Sequence, residues 1–185
     1  MPFVWLPRGR SAPWLWATLR RYPLHRLRGS SMAPSSMTLP CPTDSPIAAA
    51  LWYASQGVQV FPLHAPTEDA PCDCGAPDCS SPAKHPWTSH GLSDATTNVI
   101  QIQAWWQQHP QANVGIATGE GSGLVVIDVD AKKGGYTSLA SIFQRHGAFP
   151  ATREVKTGGG GSHFFFRHPR NGHRIANSVS SIEPG

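Results

Sequence analysis

Leu124-Val-Val-Ile-Asp-Val-Asp130 is a β-branched run that closes on two carboxylates two residues apart. Side chains on a strand alternate faces with period two, so Asp128 and Asp130 share one face while Val125, Ile127 and Val129 take the other. The apolar face is suited to burial against helices. Two like charges this close call for a cation or a shared proton, which makes the carboxylate face a cradle for a divalent metal. The plainer alternative is a strand that simply ends in acidic turn residues.

Upstream, Asn113-Val-Gly-Ile-Ala117 reads as a short strand, and Thr118-Gly-Glu-Gly-Ser-Gly123 as a turn. Three glycines in six residues between two strands predict that they pair antiparallel. Downstream, Lys132-Lys-Gly-Gly135 leads into a helix carrying Leu139, Ile142, Phe143 and His146 and closed by Gly147. Residues 152–156 and 162–167 then form two strands joined by Thr157-Gly-Gly-Gly-Gly161, a run that takes positive φ freely and lets backbone approach a ligand. Nearer the start, Asp44-Ser45-Pro46 supplies a cap and a first-turn proline for a helix with Ile47, Leu51 and Ala54 on one face and Gly57 as its stop. A strand over 58–63 follows, and a second helix over 99–109 carries Ile102, Trp105 and Trp106 and halts at His109-Pro110. The pattern is α+β: an αβ module with a loop-rich insertion, then an antiparallel or mixed sheet bearing the carboxylates and the glycine hairpin.

The 185 residues suit one domain with an appended segment. The net charge of +4 is unevenly placed. Residues 1–43 hold six arginines and no acid, whereas the remainder carries nine Lys/Arg against eleven Asp/Glu, so the part with helix and strand patterning has no basic balance that would mark a nucleic-acid surface. That leader mixes Pro, Arg, Trp and Ser without a period, and we expect it to be disordered, with Met32 and Met37 as alternative starts. No run reaches the ~18 apolar residues of a membrane span.

Cys72-Asp-Cys-Gly-Ala-Pro-Asp-Cys79, followed by Lys84-His85-Pro86, has the form C-x-C-x4-C-x5-H. Three clustered thiols beside an imidazole fit a closed structural zinc site better than a disulfide framework, and imply a reducing, cytoplasmic setting. Cys72, Cys74, Cys79 and His85 are the expected ligands, with His64 and His90 near enough in sequence to replace His85. In Lys156-Thr-Gly-Gly-Gly-Gly-Ser-His163-Phe-Phe-Phe166, the turn amides at Gly159 and Gly160, together with Lys156, Ser162 and His163, could meet phosphates. Read singly, the glycines are a hairpin turn, the histidine is structural and the phenylalanines are core.

Together, NVGIATG at 113–119, LVVIDVD, Gly135 with Ser138-Leu139, and VKTGGGGSHFFF resemble the bifunctional DNA primase/polymerase domain of the archaeo-eukaryotic primase superfamily. The resemblance runs from about Asp44 to Gly185, and the cysteine cluster ending in KHP is similar to the zinc element inserted in many such domains. It implies an RNA-recognition-motif-like catalytic core and template-directed nucleotidyl transfer: a 3′-hydroxyl attacks the α-phosphate of a nucleoside triphosphate and pyrophosphate leaves. Asp128 and Asp130 would hold two divalent ions, Mg2+ or Mn2+. His163, with Lys156, Ser162 and the turn amides, would orient the triphosphate. Implied partners are a DNA template and primer, nucleoside triphosphates, and a helicase domain or protein.

The family's third motif is a further aspartate on a later strand. Glu183 is the one acid after Glu154 and sits in Pro184-Gly185 surroundings, so we do not assign it that role. The expectation is a core missing its last strands, a truncated domain with little or no polymerase activity. The competing readings are a non-catalytic nucleotide or nucleic-acid-binding module and a metal-dependent phosphohydrolase or nuclease resting on the carboxylates alone.

Overall fold

Ser45 opens the first ordered helix, its hydroxyl accepting from the Ala48 amide at 3.2 Å, with Pro46 at the first helical position. This helix, α1 (Pro46–Ser55), buries Ala50, Tyr53 and Ala54 and is closed by Gly57 at φ +78°. The structure is a computed structural model that describes residues 3–5, 45–169, 172 and 175–178. The expected disorder of 1–43, apart from Phe3–Trp5, and the assessment of Glu183 both lie outside the described residues.

Phe3–Trp5 forms a three-residue strand, β1, where the composition of the leader predicted none. Three residues are too short for a period to register in the sequence, and pairing rests on backbone groups. The remaining elements follow in order: β2 (Val60–Leu63), α2 (Val99–Gln108), β3 (Asn113–Ala117), β4 (Leu124–Val129), α3 (Gly135–His146), β5 (Arg153–Lys156) and β6 (Ser162–Arg167). They build two three-stranded antiparallel sheets, ordered β1-β3-β2 and β4-β6-β5. The molecule is α+β, as expected.

The predicted pairing of β3 with β4 is overturned. They share a single bridge, Gly119 with Leu124, and then part. β3 is the central strand of its own sheet, so β1 and β2 already occupy both of its edges, and β4 takes β6 as its partner over six residues from Leu124↔Arg167 to Val129↔Ser162. The turn between them is tied to the first sheet, because the Ser122 hydroxyl accepts from the Gln59 amide at 3.1 Å.

All five residues of β3 and all four of β2 are buried. Pro62 sits inside β2 without breaking the ladder. Val60 and Pro62 turn their backbone groups away from β3, toward the 85–96 connection: Val60 exchanges hydrogen bonds with Thr96 (2.9 and 3.0 Å), and Pro62 accepts from the Trp87 amide at 3.0 Å. The proline therefore lacks a donor only on the outer edge. The main core gathers Tyr53, Val60, Ile102, Trp106, Val114 and Ile116.

Leu124, Val126 and Phe165, on one face of the second sheet, pack against that core. The opposite face carries Val125, Ile127, Val129, Phe164 and Phe166 and is covered by α3 and by Phe149, whose ring meets Phe143, Phe164 and Phe166 edge-on at 4.9, 5.4 and 5.2 Å. Arg153 lies over the Trp52 ring at 5.5 Å, joining the second sheet to α1.

Gly115 faces Phe61 across the ladder, and a Cβ there would stand 2.7 Å from the buried Phe61 ring. Gly115→Ala is expected to destabilise by about 1–3 kcal/mol, the usual cost of overpacking, read as a lowered urea midpoint at unchanged slope. An unaltered midpoint would show that the ring can move aside.

Candidate functional site

The register of β4 on β6 sets Asp128 directly opposite His163, and paired residues share a face. His163 Nε2 lies 3.4 Å from Asp128 Oδ1, with the imidazole buried and the Asp128 side chain 67 % exposed. Burial holds the His163 pKa below the ordinary histidine value; the Asp128 charge opposes that shift and the Lys84 ammonium adds to it. The ring is thus neutral near pH 7, and its Nδ1 is buried without a hydrogen-bond partner. Asp130 follows β4 in extended backbone and caps the turn over Ala131–Lys133: Oδ1 accepts from the Lys132 amide at 2.9 Å and Oδ2 lies 3.8 Å from Lys133 Nζ. Its side chain remains 46 % exposed. Among the described residues, groups of three or more His, Cys, Asp or Glu with ligand atoms within 4.8 Å of one another include neither aspartate.

Lys156 and Ser162 lie on the other face of the sheet. Ser162 pairs with Lys156 on one side and with Val129 on the other, so they share the side covered by α3, while Asp128 and His163 share the side toward the main core. Ser162 is fully buried and is the centre of a polar cluster. Its hydroxyl donates to Glu154 Oε1 at 2.7 Å, accepts from Lys156 Nζ at 2.8 Å, and lies 2.8 Å from the Tyr136 hydroxyl. Lys156 also binds Glu154 directly. That bond is the largest cause of the lowered Glu154 pKa and the raised Lys156 pKa; desolvation opposes both. Glu154 and Tyr136 were not singled out in the sequence. Glu154 could have been, since it precedes Lys156 by two on the same strand face; Tyr136 carries no such signal.

Within the hairpin, Gly159 has open space where a Cβ would stand, and Gly160 needs its glycine only for φ +84°. Gly161 has the tight contact: a Cβ would come within 2.3 Å of the Val129 carbonyl oxygen. The closest approach thus belongs to the fourth glycine, where the hairpin folds onto the end of β4.

Cys72, Cys74, Cys79 and His85 converge, with all four ligand atoms within 4.8 Å of one another and Cys72 Sγ 3.3 Å from His85 Nε2. Desolvation raises the Cys72 pKa, but hydrogen bonds from the Ala83 and Cys74 backbone and from the Cys74 and His85 side chains outweigh it and bring the thiol down to about 7. Three soft thiolates and an imidazole in one closed group fit structural zinc. Neither alternative histidine takes the place of His85. His64 Nδ1 is held by Asp73 at 2.7 Å, and exposed His90 pairs with Asp94 at 3.0 Å. Asn113, at the start of β3, anchors the loop by donating to the carbonyls of Ala83 (3.2 Å) and His64 (3.1 Å). The loop thereby sets Lys84 near enough to His163 to act on its charge, a role that its place in the KHP motif did not reveal.

Two outcomes follow for this region. Purified chain is expected to hold one zinc, and chelation or Cys74→Ser should lower Tm by at least about 5 °C, since a loss of ~2 kcal/mol moves a domain of this size about 4–8 °C; a metal-free chain with the same Tm would refute the site. Gly161→Ala should cost about 1–3 kcal/mol while Gly159→Ala stays near neutral in the same denaturant titration, and equal effects would refute the close approach at Val129.

No curated protein and no solved structure matches the chain. The model of the family described as bifunctional DNA primase/polymerase, N-terminal, matches residues 50–185. That span takes in the Cys3His group, the Asp128–His163 pair and the glycine hairpin. The chain belongs to the bifunctional DNA primase/polymerase N-terminal domain family.

Proposed function

We propose that the Asp128–His163 face is the nucleotide end of a DNA primase/polymerase domain that joins nucleotides on a DNA template by nucleotidyl transfer. The observation that carries the reading is the register of β4 on β6, which sets an exposed carboxylate against a buried neutral imidazole at 3.4 Å in a chain of this family. The βαββ unit made by β4, α3, β5 and β6 has the strand order 1-3-2 of the first half of an RNA-recognition-motif sheet, which supports the expected core type.

Asp128 and Asp130 supply hard oxygen donors of the kind that Mg2+ or Mn2+ accepts, and both are exposed enough to take one. When bound there, such ions would neutralise charge on the leaving pyrophosphate and favour the attacking 3′-hydroxyl. The chain's own part is positioning and electrostatics. A neutral His163 offers one N–H to a phosphate oxygen without competing as a cation for Asp128. Lys84, on the same side, adds the positive charge that a triphosphate needs. Lys156 and Ser162, committed to Glu154 on the reverse face, keep the hairpin in register and are not part of the phosphate contact. Template and primer DNA and nucleoside triphosphates are the substrates in this reading, in a cytoplasmic setting. Among the described residues no helix is long and apolar enough to cross a membrane.

A second reading, binding of nucleotide or nucleic acid without chemistry, is favoured by one observation: among the described residues, no group of three or more His, Cys, Asp or Glu ligand atoms within 4.8 Å of one another includes Asp128 or Asp130.

Primed and unprimed templates incubated with the purified chain, deoxynucleotides and Mn2+ separate the two. Nucleotidyl transfer predicts extended product that Asp128→Asn reduces on the order of 10²–10³-fold at unchanged Tm, and that Lys84→Ala reduces mainly through KM. Metal-dependent binding of triphosphate with no product would leave only the second reading, and neither binding nor product would overturn both.

A further inference from the structure

Outside the Asp128–His163 site, four rings stack in series. His85, His64, Trp87 and His109 follow one another with centroid separations of 4.1, 4.0 and 3.8 Å and interplanar angles of 30°, 24° and 20°. One end of the series is a member of the Cys3His group. The other end, His109, lines a cleft of about 570 Å³ between the 87–98 connection and α2, within the volume range of small-ligand sites.

The chemistry of the cleft is specific in what it offers and in what it lacks. Trp105 and His109 contribute aromatic surface, and Gln101 and Gln108 contribute side-chain amides from the exposed side of α2. The Nε1–H of Trp87, another lining residue, is a buried donor with no hydrogen-bond partner. The lining includes Asp94 and no lysine or arginine. A phosphate would find no lysine or arginine there, and the carboxylate of Asp94 is already held by His90 of the same lining. A flat, uncharged ring edged with donors and acceptors would find aromatic surface and amides, which pair with such edges as both donor and acceptor.

We infer that this cleft takes a nucleobase, packed against His109 and Trp105 with its edge read by Gln101 and Gln108. The base comes either from an unpaired DNA strand or from a free nucleotide. The inference rests on the proposed nucleic-acid function only for that source, since the cleft shares no residue with Asp128, Asp130 or His163.

The test is fluorescence anisotropy of a labelled dT 12-mer with the full chain, without metal or triphosphate. The six arginines of residues 1–43 would attract any phosphate chain, so the control is an abasic strand of the same length. The dT strand should bind at least about tenfold more tightly than the abasic one, as loss of stacking on a single aromatic implies. That margin should collapse in His109→Ala and, as a variant confined to exposed helix positions, in Gln101→Ala/Gln108→Ala, and should persist in Asp128→Asn. Competition by thymidine would assign the free nucleotide as the source; failure of thymidine together with failure of duplex dT·dA would assign the unpaired strand, and both outcomes keep the cleft. Equal affinity for the abasic strand, or a margin untouched by both cleft variants, would overturn it. Base-dependent binding without primer extension would reject the polymerase reading and leave the cleft standing.

Discussion

β3 has no free edge, and the placement of the site depends on that. With β1 on one side and β2 on the other, the strand that follows cannot pair with β3, and one bridge just beyond β3, Gly119–Leu124, is all that links them. β4 therefore starts a second sheet whose Leu124–Val126–Phe165 face is pressed onto the first core. Farther along that same face the cover thins. His163 is still buried there and Asp128 is not. A boundary of this kind is where burial lowers the pKa of an imidazole that sits one strand away from an exposed carboxylate. The other end of β3 completes the placement, because Asn113 holds the loop of the Cys3His group and with it Lys84.

Much of this was legible along the chain and little of it across the chain. Helix boundaries followed from local chemistry: Ser45-Pro46 and Gly57 for α1, His109-Pro110 for the end of α2. The β-branched run and its apolar face were likewise local, as was the cysteine spacing. Pairing partners were not, because the glycine turn after β3 is compatible with a hairpin, and what forbids the hairpin is the occupancy of β3 by two distant segments. Grouping Ser162 and Lys156 with His163 neglected the period-two rule already applied to Asp128 and Asp130, since neighbours on a strand point to opposite sides. Which glycine of four is pressed against backbone depends on the Val129 carbonyl, far back along the chain in another strand, and no local pattern encodes it.

The two faces of the second sheet divide the polar residues by function. On the α3 side, Glu154, Lys156, Ser162 and Tyr136 satisfy one another around a fully buried hydroxyl. A closed network of this sort fixes strand register, since a one-residue slip would bring His163 or Gly161 into the place of Ser162. On the other face, Asp128 is left exposed beside the buried His163. The same six residues of β6 thus hold the hairpin with one set of side chains and present chemistry with the next.

Pro62 gives the first sheet a property that its buried position conceals. The outer edge of β2 is lined by the 85–96 connection through bonds at Val60, Pro62 and His64, and the middle one runs in a single direction because proline has no N–H. A strand from another copy of the chain, arriving at that edge during folding, would have to displace the connection and would still meet a gap in its ladder. Edge-to-edge recruitment of a second molecule is thus disfavoured at this border by one residue. This border of the sheet that carries the core is in this way shielded from edge pairing, independently of any charge on its surface.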